Sequence, residues 1–592
     1  AFAKAAHVVR LKTQLNRVTG VPMEPRSAVA KYEPGNGHYT LYTGTAGSVR
    51  LWQSMAVCLN TPPEFVRVVV RDVGGSFGTR AGTYPEYVLA PWAAKRVGRP
   101  VKWVGERTEI FLTDFHARDL WVEAELALDA GGSILAMRGA SISNVGAYNA
   151  SLVPLQKSTE IMTGIYHVPV AHWHPRAVFT NTTPTFAYRS TGRPEAMFVI
   201  ERLLELAARE CGFDRIQLRR RNLIPTSSMP YTNPFGIPYD SGHYHQALES
   251  AMILGDWDGF TERRGTARRR GRLRGIGIGT YVETATGSPR ERAEVIVRPG
   301  RMVEVAIGTT ANGQGHDTVF AQLITEWLGV PGDQVRLISG DTEFVKIGGG
   351  SSSGRSMRLA SFLMQKATTK IIERGMKVAS HLLEVAPADI QFRDGTFLVI
   401  GTDRAMHLFD VAAAALNDPS VPDALRGPLA ADIDEIVTVG SFPYGAHVCE
   451  VEIDPETGAI EIVNYAAVDD VGRAVNPMLV DGQTHGSIAQ GLGQALWEHC
   501  AHDAESGQPL AASFMDYVLP RASGLPSFNT QISEVPSTTH PLGIRSGSEG
   551  GTAPTLAVVA NAVVDALSEF GVRHIELPIT PERIWRSMSR PR

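Results

Sequence analysis

The most informative stretch of the sequence is Ser546-Gly547-Ser548-Glu549-Gly550-Gly551-Thr552, which lies just ahead of a long apolar run with helical periodicity. The order Thr552-Ala553-Pro554 is typical of a helix start. A carboxylate among glycines has no evident packing role, and small neighbours let a bulky ligand approach the backbone. Glu549 is therefore a candidate general base. The alternative is an acid that favours the helix N-terminus through the helix dipole.

The composition is that of an ordinary globular protein. The chain has 592 residues, of which 43% are hydrophobic and 20% charged, so we expect several subdomains rather than one core. The net charge of −4 argues against nucleic acid as a partner. No apolar run reaches the roughly 18 residues of a membrane span, so we expect none.

The cysteines are too widely spaced for an iron–sulfur cluster or a zinc site. Scattered thiols of this kind are typical of a reducing compartment, and we expect a cytoplasmic location. The four cysteines are Cys58, Cys211, Cys449 and Cys500.

Strand-like runs alternate with amphipathic stretches, which indicates an α+β fold. Turn residues separate two pairs of strands and predict hairpins, one joining 293–297 to 303–307 and the other joining 448–453 to 460–463. The apolar periodicity predicts helices over 196–211, 361–383 and 556–570.

An arginine-rich segment, residues 263–274, is the predicted linker between a first domain at 1–262 and a second at 275–592. A basic run can contact nucleic acid, and salt-sensitive DNA binding would be its mark. In a chain of net negative charge, a solvated linker or a subunit contact is the favoured interpretation. The glycines that follow, in 275–282, lack the helix of a dinucleotide-binding loop, so a glycine-rich strand is predicted.

Five glycine-rich segments place backbone amides, hydroxyls or Gln and Arg donors at or near the ends of regular elements. Amides at such corners lack partners and suit phosphates and polar cofactor edges. One segment alone would be an ordinary loop, but five together indicate one large, polar, anionic ligand held mostly by backbone. The segments are 74–80, 187–195, 313–318, 348–356 and the stretch around Glu549.

Several further motifs make the chain resemble the large molybdopterin-binding subunit of the xanthine dehydrogenase, aldehyde oxidase and carbon monoxide dehydrogenase family, the molybdenum hydroxylases. The resemblance implies two elongated mixed α/β domains with the cofactor at their interface. It also implies a small α+β domain ahead of residue 1, either missing from this sequence or supplied by a separate chain. The motifs are 99–103, 201–207, 219–225, 470–477, 482–486 and 490–493.

In this family the pterin dithiolene holds the molybdenum, so the resemblance implies no protein metal ligand. It implies a molybdenum cofactor, in the molybdopterin cytosine dinucleotide form, bound by the following residues. Gly75, Phe77 and Gly78 would approach the metal ligands, with the backbone amide of Arg189 facing the metal; Gly313, Gln314, Gly315 and His316 would hold the pterin and phosphate region; Ser352, Ser353, Gly354, Arg355 and Ser356 would contact the pterin or tail; Gln483 and Gln490 are further polar candidates, with ordinary helix or turn hydrogen bonding as the alternative.

The resemblance also implies an activity. Glu549 matches the catalytic base of an oxidative hydroxylation, in which an aldehyde or N-heteroaromatic small molecule gains oxygen from water. Because the chain has no cluster cysteines and no dinucleotide loop, electrons must leave through partners. We expect a small [2Fe–2S] subunit and a medium FAD subunit, assembled as a dimer of heterotrimers.

Four positions depart from the family pattern. Carbon monoxide dehydrogenases carry a copper-binding cysteine at the position of Ser190, and a hydroxyl is a poor ligand for Cu(I), which argues against that substrate. Ala81 and Thr191 replace the Glu and Phe that hold purines, which argues against xanthine, and Ala81, Ser190 and Thr191 are expected to line the substrate pocket. Ala46 replaces a Gln that touches the metal's apical oxo ligand. It favours the alternative function, a degenerate non-catalytic paralogue that acts as a scaffold or assembly partner.

Overall fold

The computed structural model describes residues 1–589 and confirms a fold of mixed helices and sheets. In the N-terminal part the strands are β1 (His7–Thr19), β2 (Ser27–Glu33), β3 (His38–Thr43), β4 (Val66–Val69), β5 (Val101–Val104), β6 (His116–Leu128), β7 (Ile134–Gly146), β8 (Ala171–Phe179), β9 (Tyr231–Thr232) and β10 (Pro238–Tyr239). The helices are α1 (Ser48–Cys58), α2 (Pro85–Val97), α3 (Arg107–Thr113), α4 (Val153–Glu160), α5 (Arg193–Cys211), α6 (Arg215–Asn222), α7 (Tyr244–Leu254) and α8 (Phe260–Arg269).

The C-terminal part has the same mixed character. Its strands are β11 (Leu273–Val282), β12 (Arg290–Arg298), β13 (Met302–Ile307), β14 (Val335–Ile338), β15 (Ile390–Arg393), β16 (Thr396–Val399), β17 (Ala405–His407), β18 (Leu429–Ile436), β19 (Tyr444–Ile453), β20 (Ile460–Asp470) and β21 (Asn529–Ser533). Its helices are α9 (His316–Leu328), α10 (Arg355–Leu382), α11 (Leu408–Asn417), α12 (Pro477–Leu496), α13 (Thr552–Ala566) and α14 (Pro581–Ser589).

Each described sheet draws its strands from one part of the chain. The N-terminal sheets have the orders β1-β6-β7-β8, β4-β3-β2-β5 and β10-β9, and the C-terminal sheets have the orders β11-β19-β20-β21, β14-β13-β12-β18 and β15-β16-β17. One hydrophobic core nevertheless joins the two parts, since Leu15 of β1 and Phe198 of α5 belong to the same buried cluster as Val448 of β19 and Val558 of α13. The two parts therefore share a hydrophobic interior.

Both predicted hairpins are present. Val297 of β12 pairs with Val303 of β13, and Ile453 of β19 pairs with Ile460 of β20, each in antiparallel register. The three predicted helices correspond to α5, α10 and α13, with boundaries that differ by up to six residues. Alternating burial along β12 explains why the period-two pattern was readable.

The glycine-rich strand predicted at 275–282 is β11, and its glycines set the position of α13. A Cβ on Gly275 would lie 2.1 Å from the carbonyl oxygen of Ala562, and a Cβ on Gly277 would lie 2.1 Å from that of Val558. Only glycine permits so close an approach of a helix to a strand. The sequence of β11 thus fixes where α13, and the Glu549 loop before it, can lie.

The arginine-rich segment is not a solvated linker, in contrast to the prediction. Its first residues form α8, and its last residues begin β11. The arginines pair with carboxylates of the C-terminal part: Arg263 and Arg274 with Glu450, Arg270 with Glu452, Arg272 with Asp454 and Arg264 with Asp565. Their charge is therefore largely neutralised within the fold.

No helix within residues 1–589 has the length and apolar character to cross a membrane.

Candidate active site

The five glycine-rich segments meet around one cavity of about 780 Å³. The segments arrive from different sheets and helices. The lining residues that represent the five segments are Phe77, Arg189, Gln314, Ser353 and Glu549. The cavity has the size of a typical site for a small molecule or cofactor.

Helix starts converge on this cavity. Gly192, Gly315 and Gly354 are the N-caps of α5, α9 and α10, and each adopts a left-handed backbone. The first turn of a helix leaves amide groups without intrahelical partners and carries a partial positive charge. The convergence favours a ligand with anionic groups.

Backbone strain accumulates in the same loops. Phe77, Ser190 and Ser353 all have positive φ angles, of 52°, 61° and 51° respectively. A non-glycine residue in this region costs about 1–3 kcal/mol and persists where the surroundings enforce it. Three of the five segments therefore hold a backbone conformation that the surrounding structure must enforce.

Glu549 lies in the cavity wall, and 17% of its side chain is exposed. Helix α13 does not use the carboxylate as its cap: Gly551 is the N-cap, and the Thr552 amide donates to the backbone oxygen of Glu549 at 3.2 Å. Oε2 of Glu549 lies 3.9 Å from Nη1 of Arg193. The geometry leaves the carboxylate available to a ligand in the cavity.

Arg189 holds the Glu549 loop in place. Its guanidinium donates to the Ser548 carbonyl at 2.7 and 2.9 Å, to Oε1 of Gln483 at 2.9 Å and to Oε1 of Gln490 at 3.2 Å. Burial lowers the pKa of Arg189 to about 10, while the Glu549 charge acts in the opposite direction. The side chain therefore stays charged at neutral pH and ties the loop to α12.

A second buried carboxylate, Glu283, was missed by sequence reasoning. It follows β11 directly, and its side chain is 3% exposed. Its Oε1 lies 2.7 Å from Nε of Arg193, and its Oε2 accepts from Oγ of Ser190 at 2.5 Å. The only sequence signal was an acid directly after the predicted glycine-rich strand.

Most predicted site residues do line the cavity. These are Phe77, Gly78, Ala81, Arg189, Thr191, Gly313, Gln314, His316, Ser352, Ser353, Gly354, Ser356, Gln483 and Glu549. The remaining ones, Gly75, Ser190, Gly315, Arg355 and Gln490, are not among the lining residues.

Several predicted site residues are hydrogen-bonded to other protein groups in this structure. Arg355 is fully buried and donates to Glu291 at 2.7 Å and to the Gly350 carbonyl at 2.7 Å, so it braces the 348–354 loop. The hydroxyl of Ser190 donates a hydrogen bond to Glu283. The backbone amide of Arg189, predicted to face the metal, donates to the Phe77 carbonyl at 2.9 Å.

Ala46 is buried behind the 348–354 loop. Its carbonyl accepts from the Ser351 amide at 2.7 Å, and a Cβ on Gly350 would lie 2.4 Å from the same carbonyl oxygen. The backbone of Ala46 thus shapes the loop, although its methyl group adds no donor to the cavity.

The cavity wall fits a polar, anionic cofactor. Three buried polar atoms of lining residues have no hydrogen-bond partner within the described part of the chain: Ser76 Oγ, Asn312 Oδ1 and His316 Nδ1. Burial lowers the pKa of His316 to about 4, so this ring is neutral at pH 7 and can donate or accept. Among residues 1–589, no group of three or more His, Cys, Asp or Glu side chains could hold a metal ion.

Comparison with known proteins agrees with this site. Two models described as molybdopterin cofactor-binding domains match residues 1–223 and 250–526. The 6-hydroxypseudooxynicotine dehydrogenase complex subunit gamma of Paenarthrobacter nicotinovorans is 37% identical over 99% of this chain and 74% of its own. The chain belongs to the molybdenum hydroxylase large-subunit family.

Two further relatives support the assignment. The carbon monoxide dehydrogenase large chain of Hydrogenophaga pseudoflava is 32% identical over 99% of this chain and 75% of its own. The crystal structure of quinoline 2-oxidoreductase from Pseudomonas putida 86 superimposes with a TM-score of 0.95 at 34% identity, covering all of this chain and 77% of that one. This molybdenum hydroxylase large subunit is thus a molybdopterin-binding, molybdenum-dependent oxidoreductase, as the resemblance implied.

Proposed function

We propose that the chain is the catalytic large subunit of a molybdenum hydroxylase that oxidises an aldehyde or hydroxylates an N-heteroaromatic ring. The observation that carries the proposal is the Glu549 carboxylate, which lies in the cavity shared by all five glycine-rich segments. In the net reaction a substrate C–H bond and water yield C–OH, two protons and two electrons. When bound, the molybdenum cofactor would supply the chemistry of oxygen transfer and two-electron oxidation.

The side chains have distinct roles in this proposal. Glu549 accepts a proton as general base, which typically contributes about 10²–10⁴-fold to the rate. Arg189 keeps the Glu549 loop in register through the Ser548 carbonyl. The starts of α9 and α10, with Gln314 and Ser356, would hold the pterin and the phosphates of a cytosine dinucleotide tail.

In this proposal the substrate binds beside Phe77, Ala81, Phe186 and Thr191, which all line the cavity. Aromatic and small side chains suit a flat ring of the kind named in the quinoline enzyme. Ser190 is fully buried and bonded to Glu283, so its hydroxyl has no free position for copper. This supports a substrate other than carbon monoxide.

We propose that electrons leave through a small [2Fe–2S] subunit and a medium FAD subunit in a dimer of heterotrimers. The support is that the four cysteines are free and scattered, and that relatives are named as subunits or large chains of complexes. We also propose a cytoplasmic location, because the free thiols fit a reducing compartment. The boundary between the two cofactor-binding domains is proposed to lie at 263–274.

The test is a substrate screen of the purified complex against aldehydes and N-heteroaromatic compounds, read by bleaching of flavin and cluster absorbance, together with molybdenum analysis. We expect molybdenum stoichiometric with the chain. Glu549→Gln should keep the molybdenum and lose about 10²–10⁴-fold in turnover. The matched control is Glu456→Gln, the same substitution on an exposed turn.

Loss of the cofactor in Glu549→Gln would indicate a structural role for this residue and count against the general base. A carefully purified complex without molybdenum would refute the proposal and support the scaffold alternative that Ala46 favours.

A further inference from the structure

The carboxylates of Glu283 and Glu549 approach the same guanidinium. Arg193 places Nε 2.7 Å from Glu283 and Nη1 3.9 Å from Glu549. The two Nη groups donate hydrogen bonds to neutral acceptors: Nη1 to the Thr191 carbonyl, and Nη2 to Thr284 and to Oγ of Ser353. One buried cation therefore serves two acids, and Glu283 holds the closer position.

The cation is held rigidly by this arrangement. Arg193 is the first residue of α5 and is 1% exposed, and Ser190, which donates to Glu283, lies one turn before it in a strained conformation. Glu283 is anchored by β11, the strand against which α13 packs. The acid, its cation and the Glu549 loop are thus fixed relative to one another by the same three elements.

We propose that Glu283 is a positioning residue for Glu549, because it holds Arg193 and shares its charge, so that Glu549 is not fully neutralised and remains an effective base. This inference rests on the proposed function of Glu549. It assigns to Ser190 a task as well: its hydroxyl orients the Glu283 carboxylate.

The electrostatics agree with the geometry. Burial raises the pKa of Glu283 to about 7, Arg193 acts to lower it, and the charge of Glu549 raises it further. The charged or titratable groups that face Glu283 are Arg193 from α5, Glu549 from the loop before α13 and Tyr281 from β11. A proton taken up by Glu549 during turnover would therefore make Glu283 more acidic, and the pair would respond as a unit.

The first test is the pH profile of kcat/KM for Glu283→Gln in the purified complex. The neutral amide releases the Arg193 charge to Glu549, so the acid limb should move to lower pH by about one unit. Turnover at neutral pH should fall about tenfold with little change in KM, because the base is weaker but the substrate pocket is intact. A profile that superimposes on wild type would overturn the proposal.

The control is Glu498→Gln, which also removes a buried carboxyl whose pKa is raised, here to about 8. Glu498 is bonded to Tyr517 at 2.6 Å and does not line the cavity. Its profile should match wild type, and an equal shift in both variants would also overturn the proposal. Should Glu283→Gln fail to fold, Ser190→Ala removes only the hydroxyl and should shift the limb in the same direction by a smaller amount.

The second test needs no turnover and separates this inference from the proposed function. Infrared difference spectra of the loaded complex should show a protonated-carboxyl band with a midpoint near 7 that is absent from Glu283→Gln and retained in Glu498→Gln. In Glu549→Gln the midpoint should fall, because the neighbouring negative charge is gone. An unchanged midpoint in Glu549→Gln would refute the coupling even in an active enzyme, whereas a fallen midpoint in an inactive complex would retain the coupling and refute only the function.

Discussion

The close packing of α13 on β11 predicts that Gly277→Ala will lower kcat, although Gly277 does not line the cavity. The added Cβ would lie 2.1 Å from the Val558 carbonyl oxygen, whereas ordinary contacts begin at 3.4 Å. The Cβ is fixed to the backbone of β11 and the oxygen belongs to the backbone of α13, so neither atom can rotate away. Helix α13 must therefore move outward by about 1.3 Å, the difference between those two distances.

This displacement reaches the active site because Glu549 lies immediately before α13. A misplacement of about 1 Å at a reacting group can cost roughly 10²-fold in rate, and overpacking a core costs about 1–3 kcal/mol of stability. We expect Gly277→Ala to lose about 10²-fold in kcat and to unfold at lower temperature while retaining molybdenum. The assay is steady-state turnover with metal analysis and thermal unfolding.

The control is Gly300→Ala in the turn between β12 and β13, where an added Cβ would meet nothing within 4 Å. It should behave as wild type. If Gly277→Ala kept wild-type turnover and melting temperature, the idea that the glycines of β11 set the position of the base would be wrong.

Glu498, Arg189 and the arginine-rich segment 263–274 each give a further prediction. Burial raises the pKa of Glu498 from 4.5 to about 8. The contribution of this carboxyl group to stability is therefore present at low pH and declines by about 1.4 kcal/mol per pH unit between these two values. The difference in urea midpoint between Glu498→Gln and wild type should change with pH over the same range, and a constant difference would contradict the raised pKa. Arg189→Lys keeps the charge but loses the pair of guanidinium hydrogen bonds to the Ser548 carbonyl. We expect kcat to fall at least tenfold with little change in KM. Unchanged turnover in stopped-flow assays would show that these hydrogen bonds are not needed to hold the Glu549 loop. Because the arginines of 263–274 pair with carboxylates, a mobility-shift assay at low salt should show no binding to duplex DNA, and a salt-sensitive complex would revive the nucleic-acid alternative.

Local sequence determined much of this protein. The hairpin at Val297 and Val303, the strand β11 and the starts of α9 and α13 follow from turn residues, periodicity and glycines that act over a few neighbours. The five glycine-rich segments and Glu549 were recognisable for the same reason, and so was the family.

The tertiary structure alone decided how these pieces are used. Three contacts at the site join residues that are 64 to 93 positions apart in the chain. They are the ion pair of Arg193 with Glu283, the hydrogen bond from Arg355 to Glu291 and the hydrogen bond from Ser190 to Glu283. No periodic pattern encodes them, because they depend on which helices and strands meet in space. The sequence also did not predict the helix and ion pairs of the 263–274 segment. Its carboxylate partners, such as Glu450 and Asp565, lie far away in the chain and are brought next to it only by the fold.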